Sequence, residues 1–219
     1  MTALSQVLVF DMDGVLVDVT ESYRETVVLT VRHFTGKTIS RELIQDYKNQ
    51  GGWNNDWALS QKICADLGVE IAYPDVVAYF NHLFLDEGLI HRERWLPRAG
   101  FLDRLAQHFE LAIFTGRTTL EAEITLNREK LRDCFLLVSA DDVAREKPAP
   151  DGLEKIAGLH PGKKLLYVGD TVDDARCARA ANVPFIGVAA PANPRHDELV
   201  DLLHREGAIQ VVGDVNEIG

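Results

Sequence analysis

The chain has 219 residues, 46% of them hydrophobic and 26% charged, with a formal net charge of −11. That length holds one ordinary domain or a core with a smaller inserted module, and the composition is that of a folded globular protein. The acidic balance argues against nucleic acid or an anionic membrane surface as the main partner, so an anionic substrate has to be held by local devices such as a metal, a lysine or backbone amides. No apolar stretch approaches the roughly 20 residues of a membrane span, and no basic segment precedes an apolar run at the N-terminus, so neither membrane nor signal peptide is expected. Cys64, Cys134 and Cys177 are odd in number and lack Cys-x-x-Cys spacing. They read as free thiols of a reducing, cytoplasmic environment. The seven histidines show no metal-ligand spacing.

The first element is the apolar run Val7 to Phe10, which stops at Asp11-Met12-Asp13-Gly14. Alternation in a strand sends Asp11 and Asp13 to the same side, and two crowded carboxylates call for a cation or a proton. The segment from Val17 to Arg94 then reads as helical, with candidate helices at Glu21–His33, Arg41–Lys48, Asp56–Leu67 and Pro74–Leu85 punctuated by glycines. From Ala99 onward a different rhythm sets in. Helices are expected at Ala99–His108, Leu120–Leu131, Asp151–Gly158, Asp173–Ala181 and Asp197–Glu206. Between them lie the apolar strands Leu111–Phe114, Phe135–Val138, Leu165–Val168, Pro184–Val188 and Ile209–Val212. Strands apolar throughout and separated by helices predict a doubly wound parallel α/β sheet, with ligands bound beyond the carboxyl ends of its strands. The expected division is a core of residues 1–16 plus 95–219 and an inserted helical module of residues 17–94, placed by chain order to sit over the carboxylates as a lid.

Four motifs fall at strand ends: Asp11-Met12-Asp13-Gly14, Phe114-Thr115-Gly116-Arg117, Glu146-Lys147-Pro148, and Gly169-Asp170-Thr171-Val172-Asp173-Asp174. In this order they resemble the signature of the haloacid dehalogenase (HAD) superfamily, and the resemblance covers essentially the whole chain, including an α-helical cap at the first insertion point. It implies a HAD-like Rossmannoid core and a magnesium-dependent phosphatase that works on a small phosphorylated metabolite through an aspartyl-phosphate intermediate. Phosphate ester hydrolysis is slow enough that nucleophile, charge neutralisation and proton transfer are all needed. Asp11, deepest in its strand, is the expected nucleophile, and Asp13 the general acid and base, holding a proton through its crowding against Asp11.

Thr115 and the Gly116 amide are expected on the phosphate, and Lys147 as the charge beside both phosphate and Asp11. The Mg²⁺ site is expected at Asp11, the Asp13 backbone carbonyl, Asp170 and a second acidic residue. The resemblance puts that second residue at Asp174; Asp173 reads equally as a helix N-terminal charge. Arg117, Trp53 and Asn54 are expected substrate contacts, the last two from the string Gly51-Gly52-Trp53-Asn54-Asn55-Asp56-Trp57, which reads alternatively as a flexible capped turn with Trp53 stacked near Trp57. Tyr23, Arg24 and Lys48 are further candidates. The pattern resembles phosphoglycolate phosphatases, and the Trp53–Trp57 string with Thr115-Gly116-Arg117 resembles a group associated with histidine biosynthesis. Histidinol phosphate and sugar phosphates therefore join phosphoglycolate as possible substrates, with Asp56 the partner for a histidinol ammonium. A phosphomutase and a non-catalytic regulatory module of the same fold are the alternatives. A phosphonate-cleaving relative would need a buried cap lysine, and none of Lys37, Lys48 and Lys62 reads as one. The protein is expected to be a monomer or homodimer.

Overall fold

The computed structural model describes residues 4–219. Its main sheet has six parallel strands: β1 (Gln6–Phe10), β4 (Glu110–Phe114), β5 (Leu136–Val138), β6 (Lys164–Gly169), β7 (Phe185–Val188) and β8 (Gln210–Val212), in spatial order β5-β4-β1-β6-β7-β8. Strand β1 lies in register between β4 and β6, Phe10 facing Ile113 on one side and Val168 on the other. Alternation sorts its side chains between two cores. Leu8 and Phe10 join the layer under helices α5 (Phe101–Leu105) and α6 (Thr119–Arg128), whereas Val7 and Val9 face helices α7 (Asp151–Leu159), α8 (Val172–Ala180) and α9 (His196–Arg205). The sheet is doubly wound, as its uniformly apolar strands predict. The chain builds outward from β1 to β5, then returns to the other side at β6, which makes the C-terminal ends of β1, β4 and β6 the switch point where such sheets bind ligands.

Between β1 and α5 the chain leaves for a helical insertion: α1 (Tyr23–Thr35), α2 (Arg41–Gln50), α3 (Asp56–Asp66) and α4 (Tyr73–Asn81), the last running into a π-helical turn at His82–Asp86. All four candidate helices form, with ends shifted by a few residues. The two passages between insertion and sheet are zipped together as a short antiparallel ribbon, β2 (Val17–Asp18) with β3 (Arg94–Trp95), an element absent from the sequence reading. Two-residue strands carry no readable periodicity. Among the described residues no helix is long and apolar enough to cross a membrane.

Candidate active site

The site begins where β1 ends. The Asp11 amide still donates to the Val168 carbonyl (2.8 Å), so the first carboxylate is anchored to the central strands and 5% exposed. The chain then turns tightly, the Met12 carbonyl accepting from the amides of Val15, Leu16 and Val17. Gly14 makes this possible with a φ of +72°, and a Cβ there would lie 1.9 Å from Asp170 Oδ2.

Asp170 follows β6, beside β1, and its carboxylate meets those of Asp11 and Asp174 with oxygens within 4.8 Å of one another. Lys147 enters from the loop after β5, its peptide bond to Pro148 being cis. Its ammonium lies 2.7 Å from Asp11 Oδ1 and 2.8 Å from Asp174 Oδ1, above the rings of Phe114 and Tyr167.

The three carboxylates are not equivalent. Asp174 is tied into the structure. Its Oδ1 also accepts from the Tyr167 hydroxyl (2.6 Å), and its Oδ2 accepts the amide and hydroxyl of Thr171, closing the capping box of α8. Burial would raise its pKa, but Lys147, Thr171 and Tyr167 outweigh burial and hold it below the usual carboxylate range. Asp170 is the opposite case. Its Oδ1 is buried without a hydrogen-bond partner, and burial, with Asp11 and Asp174 nearby, raises its pKa well above the ordinary value. Asp11 is pushed up to about 7, chiefly by burial and against the pull of Lys147. A single ammonium among three carboxylates, Asp11 and Asp174 buried and Asp170 half-buried, leaves negative charge uncompensated, and an orphaned carboxylate oxygen marks where a cation fits. A hard all-oxygen donor set suits Mg²⁺. Asp173, the other reading for the second acidic position, points elsewhere: both its oxygens accept the Gly52 amide (2.7 and 2.9 Å), tying α8 to the insertion.

Thr115 follows β4 with its amide bonded to the Val138 carbonyl, and its hydroxyl accepts the Arg117 amide. Gly116 lies under the insertion so closely that a Cβ would meet Asn54 Nδ2 at 2.3 Å. That Asn54 nitrogen is buried and unpartnered, and Asn54 lines the cavity as expected.

One expected substrate contact, Trp53, lies away from the cavity, and another, Arg117, borders it with its side chain turned inward. Trp53 packs edge-to-face on Tyr47 (5.9 Å) within the insertion's core, and Trp57 lines the cavity instead. The two tryptophans do not stack; Trp57 meets Phe80. Arg117 turns inward with a fully buried side chain, its Nε and Nη2 donating to Asp13 Oδ1 at 2.8 and 2.6 Å. Asp13 therefore has a guanidinium as well as the Asp11 carboxylate for a neighbour.

The insertion covers the cavity with Tyr23, Arg24, Lys48, Asn55 and Asp56. Lys48 is buried, contrary to expectation, with its ammonium 2.7 Å from Asp56 Oδ1, and Arg24 approaches the same oxygen at 3.5 Å. Glu121 and Glu146 also line the cavity, and neither stood out in the sequence. Lys163, just before β6, pairs with Glu110 at the opposite end of the sheet.

A family profile described as haloacid dehalogenase-like hydrolase matches residues 8–188. The chain is 32% identical over 199 residues to a Phytophthora nicotianae protein named imidazoleglycerol-phosphate dehydratase, covering 85% of this chain but only 44% of that longer protein. It is 25% identical over 207 residues to a phosphoglycolate phosphatase of Colwellia psychrerythraea, covering 88% of each. Among solved structures, a haloacid dehalogenase-like protein from Agrobacterium tumefaciens superposes with a TM-score of 0.77 at 21% identity, over 99% of this chain and 96% of the other.

Proposed function

Because the chain belongs to the haloacid dehalogenase-like hydrolase family, we propose that it is a Mg²⁺-dependent phosphatase that hydrolyses a small phosphorylated metabolite through an aspartyl-phosphate on Asp11. The observation that carries this reading is the arrangement at the ends of β1 and β6. Asp11 is held by Lys147 at 2.7 Å, and the neighbouring Asp170 has a buried oxygen with no partner. Asp11, Asp170 and Asp174, with the Asp13 carbonyl, would hold the cation, and Asp174 also fixes Lys147. Bound there, Mg²⁺ would neutralise charge on the phosphoryl group and on Asp11.

The protein's own groups supply the rest. An Asp11 oxygen attacks phosphorus, the bond to the leaving alkoxide breaks, and Asp13 gives that alkoxide its proton. Asp13 then takes a proton from the water that attacks the phosphoryl group and frees Asp11. Because Asp13 Oδ1 receives two N–H groups from Arg117, Oδ2 is the oxygen for this proton traffic. Thr115, the Gly116 amide and Lys147 hold the phosphoryl oxygens.

The cavity's upper side bears on the substrate. Asp56, the expected partner of a histidinol ammonium, already pairs with Lys48 and Arg24. Two cations around one carboxylate favour a leaving group that carries an anion, such as glycolate, over one that carries an ammonium. The test is turnover of phosphoglycolate, histidinol phosphate and sugar phosphates, with Mg²⁺ and with chelator. The expected result is Mg²⁺-dependent release of phosphate, greatest for the carboxylate-bearing ester and abolished in Asp11→Asn. Turnover unaffected by chelator, or retained in Asp11→Asn, would refute the proposal.

A further inference from the structure

Arg117 is the largest fully buried side chain in the described protein. Besides donating to Asp13 from Nε and Nη2, it places Nη2 2.8 Å from Glu93 Oε1, and its Nη1 donates to Thr125 Oγ1 at 2.9 Å. The guanidinium carbon lies 4.9 Å from the centre of the Tyr23 ring. The Glu93 side chain is itself fully buried, and its Oε2 accepts from Thr125 Oγ1 (2.7 Å) and Arg128 Nη2 (3.2 Å). One guanidinium thus joins three parts of the molecule. Asp13 belongs to the catalytic loop, Tyr23 opens the first helix of the insertion, and Glu93 immediately precedes β3, where the chain returns from the insertion to the sheet.

A buried ion network of this kind is a poor source of stability, because desolvation of each charge offsets much of the attraction. It does fix geometry. The rigid fork of an arginine sets the direction of the carboxylate it grips, and a lysine would not. If the return passage moves when the insertion lifts from the sheet, Glu93 moves with it and the hold on Arg117 changes.

Resting on the phosphatase reading above, we propose that Glu93, Arg117 and Asp13 form a positioning relay. Arg117 aims the acid/base carboxylate, and Glu93 makes that aim depend on the position of the β2–β3 ribbon. Arg117 and Glu93 act through Asp13 and do not touch the substrate.

The relay is tested with phenyl phosphate and 4-nitrophenyl phosphate, whose leaving groups differ in their need for a proton. Arg117→Lys, Glu93→Gln and Glu93→Asp are compared with wild type in Mg²⁺. General acid catalysis is worth about 10²- to 10⁴-fold, so misaiming Asp13 should lower the phenyl to 4-nitrophenyl ratio of kcat/KM by about tenfold or more in Arg117→Lys and Glu93→Gln. KM should stay unchanged, and Glu93→Asp should recover most of the ratio. Equal losses on both esters, or no loss, would overturn the relay. So would a rise in KM at unchanged kcat, which would make Arg117 a substrate contact. Should Arg117→Lys not fold by circular dichroism, the isosteric Glu93→Gln carries the test, since its amide oxygen can still accept from Thr125 and Arg128. Wild-type protein inactive on both esters refutes the phosphatase reading and the relay with it, whereas active wild type with unsplit losses refutes the relay alone.

Discussion

At the scale of single residues, chemistry and stability pull against each other at Asp11. Burial, opposed by Lys147, pushes its carboxyl up to about 7, from an ordinary value of 3.8. A carboxyl whose pKa is higher folded than unfolded takes up protons on folding. Its favourable contribution is therefore complete below about pH 4 and is lost as pH rises through about 7. Asp170, raised for the same reason, adds to the loss. The surface carboxylates with lowered pKa values, such as Asp46 and Asp142, titrate below this window and do not counter it. In chelator the melting temperature should consequently fall by roughly 5 °C or more between pH 5 and pH 8. Saturating Mg²⁺ should flatten the fall, because the cation replaces the protons. A metal-free melting temperature that holds or rises over that range would show that the carboxylates are not held in this way.

At the scale of elements, α8 connects the acidic cluster to the insertion. Its first turn holds Asp173 and Asp174 side by side with separate tasks. Asp174 faces down to Lys147 and closes the helix's own capping box, while Asp173 faces up to the Gly52 amide at the end of α2. Arg176, one turn on, donates to the Gln50 carbonyl, and Arg195 grips Asp46 on α2. The Gly51-Gly52 turn is thus a point at which the insertion is fastened to α8. Asp173→Ala should speed hydrogen exchange at residues 51–55 about tenfold, the weight of one hydrogen bond to a charged group, and raise KM with kcat little changed. Asp174→Ala should instead lower kcat. Unchanged exchange in Asp173→Ala would mean that the contact fastens nothing.

These elements also mark what the sequence could and could not reveal. Asp11, Thr115, Lys147 and Asp170 each stand just beyond an apolar strand or beside a strand-end loop, and a parallel sheet gathers such positions at one edge. Arg117 carries no such signal. Its partners Asp13 and Glu93 come from distant parts of the chain, so a residue three positions past β4 reads as a substrate contact when its side chain is fully buried against them. Lys48 was misjudged for the same kind of reason, since its burial depends on Asp56 in the next helix. Trp53 and Trp57 differ only in which way a turn of two positive-φ glycines sends them, Gly51 at +79° and Gly52 at +82°. Asp173 and Asp174 are adjacent acids at a helix start, and only the surrounding fold separates them.

At the scale of the whole molecule, the chain crosses between sheet and insertion twice, and both crossings are close to the reaction. The outward one begins four residues after Asp13, at Val17, and the return one carries Glu93 into the ribbon with Val17–Asp18. Lid position, acid/base orientation and access to the cavity are therefore mechanically linked through one short ribbon and one buried guanidinium. Asp11, the proposed nucleophile, stands apart from this ribbon, fixed to the central strands by its own backbone. In the proposed reaction the fixed carboxylate forms the bond to phosphorus and the adjustable one transfers the proton. The most direct test is to quench the enzyme during turnover of an aryl phosphate with borohydride, which reduces an aspartyl-phosphate to homoserine, and to locate the product by peptide mass spectrometry. Homoserine at position 11, dependent on substrate, is the predicted result. Homoserine at position 13 or 170, or none during active turnover, would contradict it.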